Sequence, residues 1–275
     1  MSRSRKTPRA GKPTMADKAD PHDLYEKSVQ NVEAEVEFID EAFRELRGRR
    51  PITLREDFCG TAAAACHWVA SGRDRRAWAV DINPEVLDWG RAHNVAPLRP
   101  AQRKRLELRE ANVLTVRTPK VDVVGAFNFS YWCFKDRRVL ADYFRAVRGT
   151  LGKDGLFFMD VFGGAEAYNE SREKTEYDGF TYVWDQSSYE PLTGDYRCYI
   201  HFRFPDGSKL KRAFSYDWRL WTLPELRDLL AETGFRASHV YWEGEDEEGE
   251  PNGEYTRVGR GENDPAWIAY LVAEK

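Results

Sequence analysis

Leu54-Arg55-Glu56-Asp57-Phe58-Cys59-Gly60-Thr61-Ala62, followed 25 residues after Glu56 by the aspartate of Ala79-Val80-Asp81-Ile82-Asn83-Pro84, is the stretch on which the fold turns. Ile52–Phe58 reads as a strand, and Thr61–Ser71 as a short Ala-rich helix ended by Gly72. Trp78–Ile82 is a second strand, after which Asn83-Pro84 caps a helix running to about His93. A strand, a tight small-residue turn, a helix and an acid after the next strand make a nucleoside site. Small residues let the backbone approach a ligand, and free N–H groups at the helix start face it. A carboxylate at the end of the second strand accepts both hydrogen bonds of a ribose diol.

The same alternation continues outward. Leu106–Ala111, Val121–Phe127 and Gly155–Val161 are further strands, with a helix over Asp136–Arg148. The last two strands are nearly continuous apolar runs, as in parallel strands covered on both faces. This predicts a doubly wound α/β sheet. Upstream, Asp20-Pro21 starts a helix whose apolar residues Tyr25, Val29, Val32, Val36, Ile39, Phe43 and Leu46 share one face up to Gly48.

From Tyr177 to Trp218 the period changes to two. Phe180–Trp184, Tyr196–Phe204 and Lys209–Trp218 are joined by Leu192-Thr193-Gly194-Asp195 and Pro205-Asp206-Gly207-Ser208. These segments predict an antiparallel meander inserted into the α/β domain at about 165–218. Thr222-Leu223-Pro224-Glu225 opens a helix closed by Gly234. Phe235–Glu243 and Trp267–Ala273 are two final strands around an acidic loop, Gly244–Glu250.

The chain from 50 to 162 and from 214 to 275 resembles the class I S-adenosylmethionine-dependent methyltransferases. Glu56 matches the acid of their first motif, which lies near the methionine end of the cofactor. Cys59, Gly60 and Thr61 match the centre of the loop often written Gly-Cys-Gly-Thr-Gly, and Phe58 and Ala62 replace its flanking glycines. Asp81 matches the ribose-binding acid, and Ile82 the residue that packs on adenine. Asn112-Val113 stands where the family has an aspartate and an apolar residue at the adenine edge. Asn128, Phe129 and Ser130 stand where it lines the methyl-donor pocket, and Tyr25 lies on the N-terminal helix that often covers the cofactor. The resemblance implies a Rossmann-like seven-stranded sheet and S-adenosylmethionine as cofactor. A nicotinamide dehydrogenase needs G-x-G-x-x-G, but Phe58, Gly60 and Ala63 occupy that frame. A Walker loop is absent.

Composition bounds the rest. With 41% apolar and 32% charged residues among 275, the chain is an ordinary globular protein, and no apolar run reaches membrane-spanning length. Four scattered cysteines without a CxxC pair, and no apolar leader, point to reduced thiols in the cytoplasm. The five histidines show no metal spacing, so no metal is expected. Residues 1–20 form a +4 tail, expected to be disordered, ahead of a helix over 21–50 and the domain proper over 51–275. The net charge of -4 leaves that domain acidic, which argues against nucleic acid as partner. A homodimer stays open. Thirteen aromatics between Tyr177 and Trp221 make the meander a lid over a small-molecule acceptor, an N or O nucleophile. Trp132, Tyr182, Trp184, Tyr199 and Tyr216 are its candidate lining residues; the pattern names no catalytic base.

Overall fold

The computed structural model describes residues 12–249 and 251–275. Three helices come first: α1 (Met15–Lys18), α2 (Pro21–Ser28) and α3 (Val32–Arg47). Of the tail expected to be disordered, residues 1–11 lie outside the described part, while the remainder is ordered. Thr14 and Asp17 form a reciprocal capping box, and the Met15 N–H donates to Asp206 of the meander at 2.8 Å. The single helix expected up to Gly48 is two helices. Asn31 accepts a hydrogen bond from the Ala34 N–H and starts α3 afresh. The apolar period survives the break because each half buries its stripe against a different sheet. Leu24, Tyr25 and Val29 meet Phe180, Ile200 and Phe202; Val36, Ile39 and Phe43 meet Leu54, Trp68 and Leu156.

The alternating region follows as β1 (Thr53–Asp57), α4 (Ala63–Ala70), β2 (Arg76–Asp81), α5 (Pro84–Gly90), α6 (Pro100–Arg103), β3 (Leu106–Glu110), β4 (Val121–Ala126), α7 (Arg137–Thr150) and β5 (Leu151–Gly163). The five strands are parallel, in the order β5-β4-β1-β2-β3. The chain thus runs outward from β1 through β2 and β3, then returns to the other side at β4. Loops leaving the carboxyl ends of β1 and β4 diverge, which opens a ligand crevice there. Helices cover both faces. On β5, Phe157 meets Tyr143 and Phe144 of α7, while its neighbour Phe158 meets Phe38 of α3.

Between β5 and α8 (Leu223–Glu232) lies a separate antiparallel sheet of β6 (Ser171–Tyr177), β7 (Phe180–Glu190), β8 (Asp195–Arg203) and β9 (Lys209–Arg219). Its first strand, rich in charge and at the sheet edge, has no apolar alternation to announce it. The chain ends in β10 (Ala237–Glu245), β11 (Pro251–Val258) and β12 (Trp267–Glu274). β12 pairs antiparallel with β5, β10 with β12, and β11 with β10. The central sheet therefore has the seven expected strands and an eighth, β11, at its edge. The acidic run leads into that extra strand rather than directly to the last one. No helix among the described residues is long and apolar enough to cross a membrane.

Candidate active site

The loop after β1 alternates between conformational regions. Phe58, Gly60 and Ala62 have φ of 56°, 53° and 59°. Two of these are non-glycine residues in a region that costs them about 1–3 kcal/mol each. The two substituted glycines therefore leave the loop in a glycine-like path, held by its surroundings. The Phe58 ring packs on Phe134 and Tyr143 toward α7. Cys59 donates its N–H to the Val80 carbonyl at 3.0 Å. Asp81, at the end of β2, accepts from the Gly60 N–H at 2.8 Å with one oxygen and from the Asn83 N–H at 2.9 Å with the other. The closeness of loop and α5 is such that a Cβ on Gly90 would lie 2.3 Å from the Thr61 carbonyl oxygen. Ile82 beside Asp81 is 67% exposed, an apolar side chain left uncovered at the crevice.

Glu56 is buried at the end of β1, and one of its oxygens accepts from the Ala65 N–H in the first turn of α4 at 2.9 Å. Burial, reinforced by Glu35, raises its carboxyl above the usual range. The Cys59 thiol is also pushed up by burial, which removes it as a nucleophile. After β3, Asn112 is exposed and its Oδ1 accepts from the Leu114 N–H at 2.9 Å. Val113 is buried, and its carbonyl accepts from Arg55 at 2.9 Å. Arg55 is itself fully buried on β1, with a two-bond pairing to Asp57 at 2.6 and 3.1 Å. One buried cation thus ties the loops after β1 and β3 together.

After β4 the backbone turns through two left-handed residues, Asn128 and Phe129, with φ of 55° and 54°. Their N–H groups donate to the Asp160 carboxylate of β5 at 2.6 and 2.9 Å. Ser130 bonds the Phe127 carbonyl at 2.7 Å and begins a short 3-10 turn. α2 closes the crevice from above. The Thr61 hydroxyl donates to Glu26 at 2.5 Å, Asn94 donates to the same carboxylate at 2.7 Å, and the Trp89 indole donates to Asp20 at 2.6 Å. On the other flank of α2, the Tyr25 ring packs 4.8 Å from Phe214 of β9.

A cavity of about 460 Å³ opens where Tyr25, Asn128 and Phe129 meet the meander. Tyr182, Trp184 and Tyr216 line it, as the alternation predicts. Two expected residues lie elsewhere. Trp132 is completely buried beneath Phe129, Phe162 and Trp218, where it supports the floor. Tyr199 has the opposite parity on β8, so its ring lies on the other face of the sheet, buried under the Arg212 guanidinium. The cavity is also lined by Trp218, whose step of two from Tyr216 signals the shared face, and by Glu166, Glu173 and Glu243. Burial raises the Glu243 carboxyl above its usual range. Glu35 and Asp160 are both buried and both outside the expected set, and Asp160 holds the N–H groups of the cavity residues Asn128 and Phe129. Asp160 had a signal: a charge inside the apolar run of β5.

No protein-family model matches the sequence, and neither does any curated protein. Solved structures do match in fold. A S-adenosylmethionine-dependent methyltransferase from Clostridium acetobutylicum superposes with a TM-score of 0.67 at 16% identity, over 92% of this chain and 96% of its own. An amino pentose methyltransferase from Micromonospora echinaspora gives 0.63 at 13% identity, covering 92% and 95%. A sugar N-methyltransferase from Streptoalloteichus gives 0.61 at 19%, covering 100% and 99%.

Proposed function

We propose that this chain, which has the fold of the S-adenosylmethionine-dependent methyltransferases, transfers a methyl group from that cofactor to an amine nitrogen of a small molecule. The crevice residues suit the cofactor. Asp81 presents a carboxylate for the ribose diol, Ile82 an open apolar face for adenine, and Asn112 an amide at the adenine edge. Buried acids at the other end suit a ligand that carries positive charge. When bound, S-adenosylmethionine supplies a methyl group already activated on a sulfonium, so the protein mainly has to position the acceptor. Holding two reactants in line contributes roughly 7–11 kcal/mol.

The observation that carries the amine assignment is the cavity, which combines aromatic faces with carboxylates beside Asn128 and Phe129. Tyr182, Trp184, Tyr216 and Trp218 offer ring faces, each able to hold a cation by about 0.5–2 kcal/mol. Glu166, Glu173 and Glu243 add attraction for an ammonium and a place for its proton. That proton must leave before the nitrogen lone pair can attack. Two of the structures with similar folds are named for amino sugar or sugar nitrogen methylation, which supports this direction of transfer.

Mass-spectrometric methylation assays on matched panels of small amines and alcohols test the reading. The expected result is methylation of amines, faster as pH rises toward the amine pKa, and none of alcohols. Turnover of alcohols alone would overturn the nitrogen assignment. Tight cofactor binding with no turnover on either panel would favour a binding protein of the same fold.

A further inference from the structure

We propose that Glu35, on α3, completes with Glu56 and Asp160 a buried acidic cluster that responds to the net positive charge of the cofactor, and so favours the sulfonium cofactor over its neutral thioether product. The inference rests on S-adenosylmethionine being the cofactor.

The placement of Glu35 is unusual for its helix. Glu33, Glu37 and Glu41 of α3 are exposed, as expected of a solvated face. Glu35 instead sits among the buried residues Val36, Phe38 and Ile39, and is 8% exposed. Its carboxylate has no hydrogen-bond or ion-pair partner among the described residues. Buried charged groups are normally paired, so an unpaired one indicates a missing counter-charge. Among the described residues, the titratable groups that interact with it are acidic or phenolic: Glu56 from β1, Asp160 from β5, Tyr25 from α2 and Tyr270 from β12. Tyr270 pairs directly across the sheet with Asp160 and stacks on Phe38, one turn along α3 from Glu35.

Glu56 and Asp160 have backbone donors, one and two respectively, but no cation. Burial, with Asp160 adding to it, lifts Glu35 to about 8, and burial lifts Asp160 to about 7. The ligand-free pocket therefore holds protons near neutral pH. S-adenosylmethionine carries an ammonium, a sulfonium and a carboxylate, and so a net charge of one, which S-adenosylhomocysteine lacks. Entry of the charged ligand lowers the pocket's proton affinity and sends protons to the buffer; the neutral product does so less. Raising the pH ionises the pocket beforehand, so the preference for the charged ligand grows with pH.

Calorimetric titration of the full chain with each ligand, between pH 6 and 9 in two buffers of different ionisation enthalpy, reads this directly. The wild type is expected to release more protons on binding S-adenosylmethionine than S-adenosylhomocysteine near pH 7, with an affinity ratio that rises with pH. Glu35→Gln, checked for folding by its thermal transition, should weaken the charged ligand roughly tenfold at high pH while leaving the product nearly unchanged. Equal proton release for both ligands in the wild type would overturn the inference without any variant. So would a parallel loss of both ligands in Glu35→Gln, the result of a structural role or of a contact with the ammonium that both carry. A wild type that bound neither ligand would instead remove the cofactor reading on which the inference stands.

Discussion

Arg55 illustrates how much of the site depends on residues that never face a ligand. It is fully buried, pairs with Asp57 through two hydrogen bonds, and also bonds Thr150 and the Val113 carbonyl. Tyr143 donates to the same Asp57 carboxylate at 3.0 Å. Replacing Arg55 by Met removes the cation and leaves Asp57 buried without its counter-ion. Urea denaturation of Arg55→Met should show a loss of about 3–5 kcal/mol; a loss under about 1 kcal/mol would mean that this network adds little. At this scale the sequence was legible where the backbone itself makes the site. Asp81 and Gly60 were found from spacing, and the structure joins them in one hydrogen bond. Glu35 was not, because its neighbours define an apolar stripe and one acid inside a helix carries no local mark. Tyr199 differs for another reason: aromatic identity alone makes it a candidate, while strand parity, which decides facing, puts it opposite Tyr216 and Trp218.

Among the elements, strands with continuous apolar runs were readable, and polar ones were not. β4 and β5 are covered on both faces and announce themselves by composition. β6 and β11 are edge strands carrying charge, proline or glycine, so their pairing comes from neighbours rather than their own residues. The division of the N-terminal helix shows the same limit. Period recorded burial correctly on both sides of Asn31, without saying that two different surfaces did the burying. That division has a consequence for the site. α2 bonds the β1 loop through Glu26 and packs on the meander through Tyr25, so it spans both halves of the crevice. The meander contributes its inner face alone. Trp184→Ala should therefore raise KM for an amine acceptor roughly 3- to 30-fold, the range of one cation–aromatic contact. Calorimetry with S-adenosylhomocysteine should show little change in the same variant. Loss of cofactor binding with no change in KM would place Trp184 at the crevice instead.

For the whole molecule, two sheets share one site. The parallel sheet supplies a crevice at the point where strand order reverses, with loops after β1, β2, β3 and β4 converging on it. The antiparallel sheet closes a cavity over the last of these loops, and α2 bridges the two. Glu166, Glu173 and Glu243 line the cavity, so a cationic acceptor would meet negative potential on entry. The doubly wound half was legible from spacing, since strand, turn and helix follow local rules. The acceptor cavity was legible only as an expectation that aromatics at period two would face one ligand. Which of them do so depends on how two sheets approach each other, and no local pattern contains that. The proposed function requires the crevice to bind a nucleoside cofactor through Asp81. Calorimetric titration of S-adenosylhomocysteine into the wild type and Asp81→Ala tests it most directly. Binding by the wild type is expected, with at least a roughly tenfold weaker affinity in the variant, as when a charged acceptor of two hydroxyls is lost. Equal affinities in the two proteins, or no binding by either, would contradict it.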